Sequence, residues 1–281
     1  MVFKAAHLGR NERNKIALTF FFVLAAAVIV FPLLWALSTS FKTYPEVLEK
    51  PYDLVPRHIQ LDNYISVFTI VPFTRYFINS VIVSSAVILG TLVFSSLAAY
   101  AFSRLQFKGR TLLFLLYIAT LMVPRQVVLV PNFMIMKNLG LIDNIWSLIL
   151  TGMFTAYGTF FLRQFFLTIP IDLEEAAIID GLGYFKRLSL IIIPLAKPAL
   201  VTLLIITLLN TWNDFLFPLV FINTDIKRTL PVGLSLLRGD FDTQWNIVMA
   251  ATLLSILPLV VVFVFAQKFF IEGIALSGIK G

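Results

Sequence analysis

Cysteine is absent from the 281-residue chain, which excludes a disulfide framework, a thiolate metal site and a thiol nucleophile. Histidine is nearly absent: His7 and His58 lie outside the apolar segments and too far apart in sequence to suggest a metal site. Charge is scarce as well, with 13% charged residues against 59% hydrophobic ones, and the mean hydropathy is +0.92. A water-soluble globular domain is thereby excluded, and the composition is that of an integral membrane protein. No Gly-x-x-x-x-Gly-Lys-Ser/Thr phosphate loop occurs, so ATP, if used, is hydrolysed by another chain, and no catalytic constellation stands out. The formal net charge of +7 could suggest nucleic acid, but the places where the charges sit decide against it.

What is present is a series of apolar segments. The first, from about Ile16 to Leu37, follows a basic stretch with Lys4, Arg10, Arg13 and Lys15 and has no small-residue cleavage site at its end. It reads as a retained membrane helix. From Ser38 to about Arg75 the chain is polar and carries Pro45, Pro51, Pro56 and Pro72, too broken for a span and expected to be an external loop. A second span over about Phe77 to Tyr100 contains Ser80, Ser84, Ser85, Gly90, Ser95 and Ser96, small residues that let helices approach closely in lipid. A third begins at Leu112, is interrupted by Pro124-Arg125-Gln126, and resumes as a re-entrant or interfacial piece over Val127 to Met136. The fourth covers about Ile145 to Leu162, the fifth Ala199 to Phe221 and the sixth Ile247 to Ala266.

Six spans place both termini on one side. Lys and Arg number 13 on that side and 9 on the other, where eight carboxylates balance them against six on the first. Short basic loops stay cytoplasmic, so the basic balance is a topology signal and the termini are expected inside.

Between the fourth and fifth spans, from about Arg163 to Pro198, lies a short polar helix centred on Glu174-Glu175-Ala176-Ala177-Ile178-Ile179-Asp180-Gly181. Asp172 and Glu175 have the spacing of a capping box, and Gly181 stands where a left-handed helix stop wants glycine. The helical period puts Leu173, Ala176, Ala177 and Asp180 on one mostly small face, flanked by Glu174 and Glu175. This is a knob that something soluble can hold.

The run Glu175-Ala176-Ala177-x-x-Asp180-Gly181, closed by Ile191-x-Ile193-Pro194, resembles the EAA loop of bacterial ABC importer permeases, with Ile193 where leucine commonly precedes the proline. Met122-Val123-Pro124 with Gln126 and Pro131, then Leu139 to Asn144, Thr211 to Leu219 and the closing Gly278-Ile279-Lys280-Gly281 are similar to carbohydrate importer permeases of the MalG type. The resemblance implies an all-α integral membrane fold of six transmembrane helices, the type I ABC importer permease fold with N and C termini cytoplasmic. Residues 1–15 form a cytoplasmic segment and 16–281 the transmembrane domain. It further implies a multi-pass protein of the bacterial cytoplasmic (inner) membrane that translocates a sugar or oligosaccharide. Its partners are a second, non-identical permease subunit, two ATPase subunits, a periplasmic or lipid-anchored sugar-binding protein and membrane lipid. No cofactor binds this chain, ATP and Mg being on the partner ATPase. Glu174, Glu175 and Asp180 would pair with basic groups of the ATPase cleft, Ala176 and Ala177 would fill it, and Gly181 would make the turn. The tail, Ser277, Gly278, Ile279, Lys280 and Gly281, would reach the ATPases, although by composition alone it reads as a frayed terminus.

Two further readings stay open. Asn210, Asn213 and Asp214, at i, i+3 and i+4 with Trp212 nearby, line the sugar path, with Trp212 as a stacking surface, or make hydrogen bonds between helices. Arg125 meets an anionic sugar or snorkels to headgroups. A channel or secondary transporter not coupled to ATP, and a structural membrane subunit, are the alternatives to the importer, although no clear internal repeat favours a carrier.

Overall fold

The computed structural model describes the backbone of residues 2–239 and 243–278, and side chains over 14–15, 18–239 and 243–267. Every regular element among the described residues is helical. The chain divides into two compact units, one of Met1–Val71 with Leu237–Leu254 and one of Pro72–Leu236 with Ser255–Gly281.

The first unit begins with α1 (Val2–Ser40). Its apolar stretch is exposed over most of its circumference, from Leu18 to Leu37. A helix apolar all round has no aqueous face, and lipid is the solvent it suits. Below it the proline-rich segment is more ordered than its sequence suggests, with two short helices, α2 (Tyr44–Glu49) and α3 (Asp62–Ile70). Proline at the first turn of α2 lacks only an N–H that would have been unpaired anyway. Buried Asn63 ties the segment together: its Nδ2 donates to the carbonyls of Ser40 and Lys42, at 2.8 Å each, and its Oδ1 accepts from Asn246 Nδ2 at 2.8 Å. Lys42 is wholly buried and donates through Nζ to the Lys50 carbonyl at 3.0 Å.

The second unit is organised on α4 (Phe73–Arg104), 32 residues long. At 1.5 Å per residue it measures about 48 Å, well beyond a hydrocarbon core of about 30 Å, so its two ends reach past the apolar slab. A 13-residue helical stretch follows, α5 (Arg110–Ala119) and a 3-10 turn to Met122. It ends at Val123, driven to extended backbone by the Pro124 ring. This is about 20 Å, shorter than a hydrocarbon core of about 30 Å, and its end falls just before Pro124, where the sequence reading put the interruption. Next come α6 (Leu129–Asn138), α7 (Ile145–Gly152) and α8 (Ala156–Thr168). Asn144 starts α7 by accepting from Trp146 N at 3.1 Å. The α4 helix packs most extensively against α8, and also against α7 and α12 (Lys197–Trp212). The expected small residues make this possible: Ser80, Ser84, Ser95 and Ser96 are buried, whereas Ser85 is exposed. Gly158 shows how close the helices come, since a Cβ there would lie 2.5 Å from Ser95 Oγ.

The polar helix α9 (Asp172–Ile179) leads through Gly181 to α10 (Tyr184–Arg187), a π turn at Leu188–Ile192 and α11 (Ile193–Leu195). Pro194 has no N–H for a bond back to residue 190, and its ring crowds that carbonyl, a sufficient cause for the widened turn before it. At Ala196 the chain bends by 80° into α12. The sequence placed the fifth span through to Phe221, but α12 stops at Trp212. Asn213 turns out of the helix, and its Nδ2 donates to the Leu209 carbonyl at 2.8 Å, before α13 (Leu216–Phe221) and α14 (Leu230–Ser235). The last helix is α15 (Trp245–Gly278). Among the described residues four helices are long and apolar enough to cross a membrane, or five if the bent pair at Ala196 counts as one. The chain is therefore a multi-pass, all-helical membrane protein.

Candidate functional site

The helix singled out by the sequence is held by its ends and its inner face. Its stop is a two-bond turn: Leu182 N donates to the Ala177 carbonyl and Gly181 N to the Ile178 carbonyl, both at 2.9 Å. This closure needs a left-handed residue, and Gly181 supplies it with φ +78°. The start differs from the expected capping box. Asp172 is already helical, Ile171 precedes it, and no side chain caps the first turn.

The inner face is the larger correction. Glu174, expected to meet basic groups of a partner, is 2% exposed, and Ala177, expected to fill a cleft, is 6% exposed. Glu174 Oε2 accepts from the Tyr100 hydroxyl at 2.9 Å, and Glu174 Oε1 lies 2.8 Å from Arg104 Nε. That Nε–H points off the Oε1 line, so the contact is ionic rather than a hydrogen bond. Arg104 Nη2 also donates to the carbonyls of Phe166 and Ile169, at 2.6 Å each. A charge this deep is tolerated only when paired and hydrogen-bonded, as both are here. Around them packs an apolar cluster that includes Ala99, Leu162, Phe166, Leu188 and Ile192.

The outer face is left uncovered by the described residues. Leu173, Glu175, Ala176, Ile178, Ile179, Asp180 and Gly181 are exposed, Ile179 at 87%, and beyond the turn so are Tyr184 and Phe185. The knob is thus apolar at its centre, with Glu175 and Asp180 at its rim.

The opposite end of α4 carries a second polar assembly. Tyr76 donates to Asp225 Oδ1 at 2.7 Å, Asn79 Nδ2 to the carbonyls of Ile226 and Arg228, and Ser80 Oγ accepts from Leu230 N. Asp143, in the left-handed region at φ 60°, accepts from the backbone of Asn223 and Thr224, from the Thr224 hydroxyl at 2.6 Å and from Lys227 Nζ at 2.8 Å. The Lys227 ammonium, then the Thr224 hydroxyl and amide, hold its carboxyl well below the usual carboxylate range.

The residues read as a sugar path are dispersed. Asn210 is exposed on α12, while Asn213 and Asp214 fall beyond its end, so the three share no helical face. Trp212 is no open stacking surface: it is 5% exposed, donates through Nε1 to the Ser255 carbonyl at 3.1 Å and meets Phe77 edge-on. Asp214 pairs with Arg125 at 3.2 Å, and the Arg125 guanidinium lies 4.6 Å from the centre of the Phe217 ring. Both line a cavity of about 20 Å³ with Ser84, Thr211 and Thr229, room for one water rather than for a sugar. Arg125 is therefore partnered within the chain, by a residue 89 positions away that sequence reading does not bring near it. Of the tail, Ser277 and Gly278 end α15, and Ile279, Lys280 and Gly281 lie outside the described residues. Among the described residues no group of His, Asp and Glu could hold a metal ion.

Comparison with known proteins bears on this arrangement. Residues 91–275 match the family described as binding-protein-dependent transport system inner membrane component. The arabinooligosaccharides transport system permease protein AraQ of Halalkalibacterium halodurans is 36% identical over 267 residues, covering 94% of this chain and 96% of that protein. The trehalose/maltose transport system permease protein MalG of Thermococcus litoralis is 34% identical over 264 residues, covering 92% and 94%. A chain from the crystal structure of a bacterial ABC transporter involved in the import of the acidic polysaccharide alginate superposes with a TM-score of 0.83 at 25% identity, covering 91% of this chain and 95% of that one.

Proposed function

The chain belongs to the family of binding-protein-dependent transport system inner membrane components, a permease of an ABC importer rather than an enzyme, and we propose that it carries a sugar or oligosaccharide into the cytoplasm, driven by ATPases that grip α9. Membership in the family sets aside a channel or carrier uncoupled from ATP. The observation that carries the coupling reading is the exposed knob: a two-turn helix with Ile178 and Ile179 facing outward, Phe185 exposed just beyond its turn, and nothing among the described residues covering them. Apolar side chains on a cytoplasmic loop call for a partner surface, and Glu175 and Asp180 at the rim supply complementarity for basic groups around a cleft.

The remaining parts follow from this reading. The chain crosses the inner membrane six times, with Arg110–Met122 as the short third crossing and the bent Ala196 junction feeding the fifth. Residues 1–15 and the tail are cytoplasmic, and 16–281 form the transmembrane domain. A second, non-identical permease completes the path, a binding protein outside delivers the sugar, and two ATPases below bind ATP and Mg. The tail at Ser277–Gly281 reaches toward them. The sugar class of the cargo rests on the sugars named for the relatives.

The test is a complex purified from membranes. Glu175→Lys and Gly181→Pro leave the chain in the membrane but abolish uptake and ATPase retention, because one reverses the rim charge and the other cannot adopt φ +78°. Normal retention of the ATPase by both variants would sink the docking role. Reporters after Lys280 and near Pro56 check the topology: the first works only in the cytoplasm, the second only outside.

A further inference from the structure

Glu174 sits in the motif argued above to meet the ATPase, yet its carboxylate is buried inside its own unit. We propose that the buried triad Tyr100–Glu174–Arg104 is the joint through which movement of α9 reaches α4 and α8, with Tyr100 and Arg104 as positioning residues for ATP coupling. The proposal rests on the docking of α9 argued above.

The covalent connection on the C-terminal side of α9 transmits force poorly. Eight residues make a helix too short to hold its own shape without packing. On its C-terminal side the chain continues through Gly181-Leu182-Gly183, and glycine backbone absorbs displacement by rotating. The noncovalent connection is stiffer. One planar guanidinium touches three elements at once: it belongs to the last turn of α4, it satisfies the Phe166 and Ile169 carbonyls at the end of α8, and it lies 2.8 Å from the carboxylate of α9. The Ile169 carbonyl is among the groups a helix end leaves without internal partners, whereas the Phe166 carbonyl also accepts from Ile169 N at 3.2 Å. Tyr100, one turn earlier on α4, holds the other carboxylate oxygen. The Arg104 and Glu174 side chains are 7% and 3% exposed, so no water is at hand to replace either contact, and sliding α9 alone would strand a buried charge. Tilting α4 and α8 with α9 keeps every contact. Lysine cannot substitute, because a point charge lacks the fork that spans three acceptors.

The absence of cysteine gives a direct readout. Leu97→Cys, on the exposed side of α4, is labelled with a maleimide in the assembled complex, nucleotide-free and after trapping with ATP and vanadate. With the natural triad the labelling rate changes between the two states. In Arg104→Gln that change falls by about tenfold or more, tenfold being the factor to which loss of even one of the two charge-assisted hydrogen bonds corresponds, while the ATPase stays bound. Arg104→Lys does not restore it. Tyr100→Phe, which keeps the packing and removes one hydrogen bond, gives a smaller loss and decides the matter if Arg104→Gln fails to fold. A triad that only stabilises would lower protein levels and leave the nucleotide-dependent change intact; that result in both variants, with the ATPase bound, overturns the joint and leaves docking standing. If Glu175→Lys also keeps the ATPase and the full change, docking itself fails, and the joint with it.

Discussion

Near each end of α4 an ion pair ties one segment of the chain to another, with opposite chemistry: Arg104 joins α4 to α9, whereas Lys227 joins two loops. At the Arg104 end the ion pair is buried, with side chains 7% and 3% exposed; near the Phe73 end, Lys227 and Asp143 meet with side chains 45% and 25% exposed. Burying two charges costs several kcal/mol each in desolvation, and their attraction rarely returns more than that. The exposed pair avoids the cost and gains little, with a typical contribution below about 1 kcal/mol. A buried pair is therefore weak as a source of stability but strong as a constraint: it permits one arrangement only. The difference fits an end that must move as a unit and an end that need only be tethered.

Deletion should separate the two ends most sharply. Glu174→Ala leaves the Arg104 guanidinium buried without its counter-charge and should cost about 3–5 kcal/mol, read as a lower unfolding midpoint of the detergent-solubilised chain. The double change Glu174→Met with Arg104→Met should recover most of that loss in stability without recovering coupling. Stability falling no further for Glu174→Ala than for a surface substitution would break the contrast. Where α8 crosses α4, Gly158→Ala pushes a Cβ to within 2.5 Å of Ser95 Oγ and should cost about 1–3 kcal/mol, with Ser95→Gly as the compensating change.

Asp143→Asn should have a smaller effect, about 1 kcal/mol, and a distinctive pH dependence. The folded chain holds this carboxyl below its unfolded value, so its contribution is fully present above the unfolded pKa and is lost only as pH falls through the lowered folded one. Between about pH 5 and pH 8 the difference between the natural chain and Asp143→Asn should stay constant, narrowing only in stronger acid. A difference that narrows near pH 6 would contradict the Lys227 contact. Smallest of all, Arg125→Gln should shift the unfolding midpoint by the equivalent of under about 1 kcal/mol and should be indistinguishable from the natural chain in high salt.

What the sequence made legible was local or periodic. Apolar runs located the long helices, the small residues of α4 marked its packed face, and Gly181 announced a left-handed stop because only the backbone needed to be considered. What it concealed was pairing across distance. Nothing near Glu174 reveals that its partners stand 70 and 74 residues upstream on another helix, so a charge in a docking motif reads as a docking charge. Periodicity likewise put Asn210, Asn213 and Asp214 on one face only by assuming that the helix continues. Asn213 ends it by folding its amide back onto Leu209, a competition between side chain and backbone that hydropathy does not register. The capping box failed for a similar reason: the spacing was right, but the helix began one residue too early.

The most direct test of the central claim, that α9 is the handle by which ATPases move this permease, uses Ile179→Cys as the single thiol in the chain. Ile179 is 87% exposed at the centre of the knob, so maleimide should react with it readily in the isolated chain. In the complex with bound ATPase the rate should fall by about tenfold or more, while Tyr52→Cys, 88% exposed in the first unit, should react equally in both. If Ile179→Cys is labelled as fast with the ATPase bound as without it, α9 is not the handle.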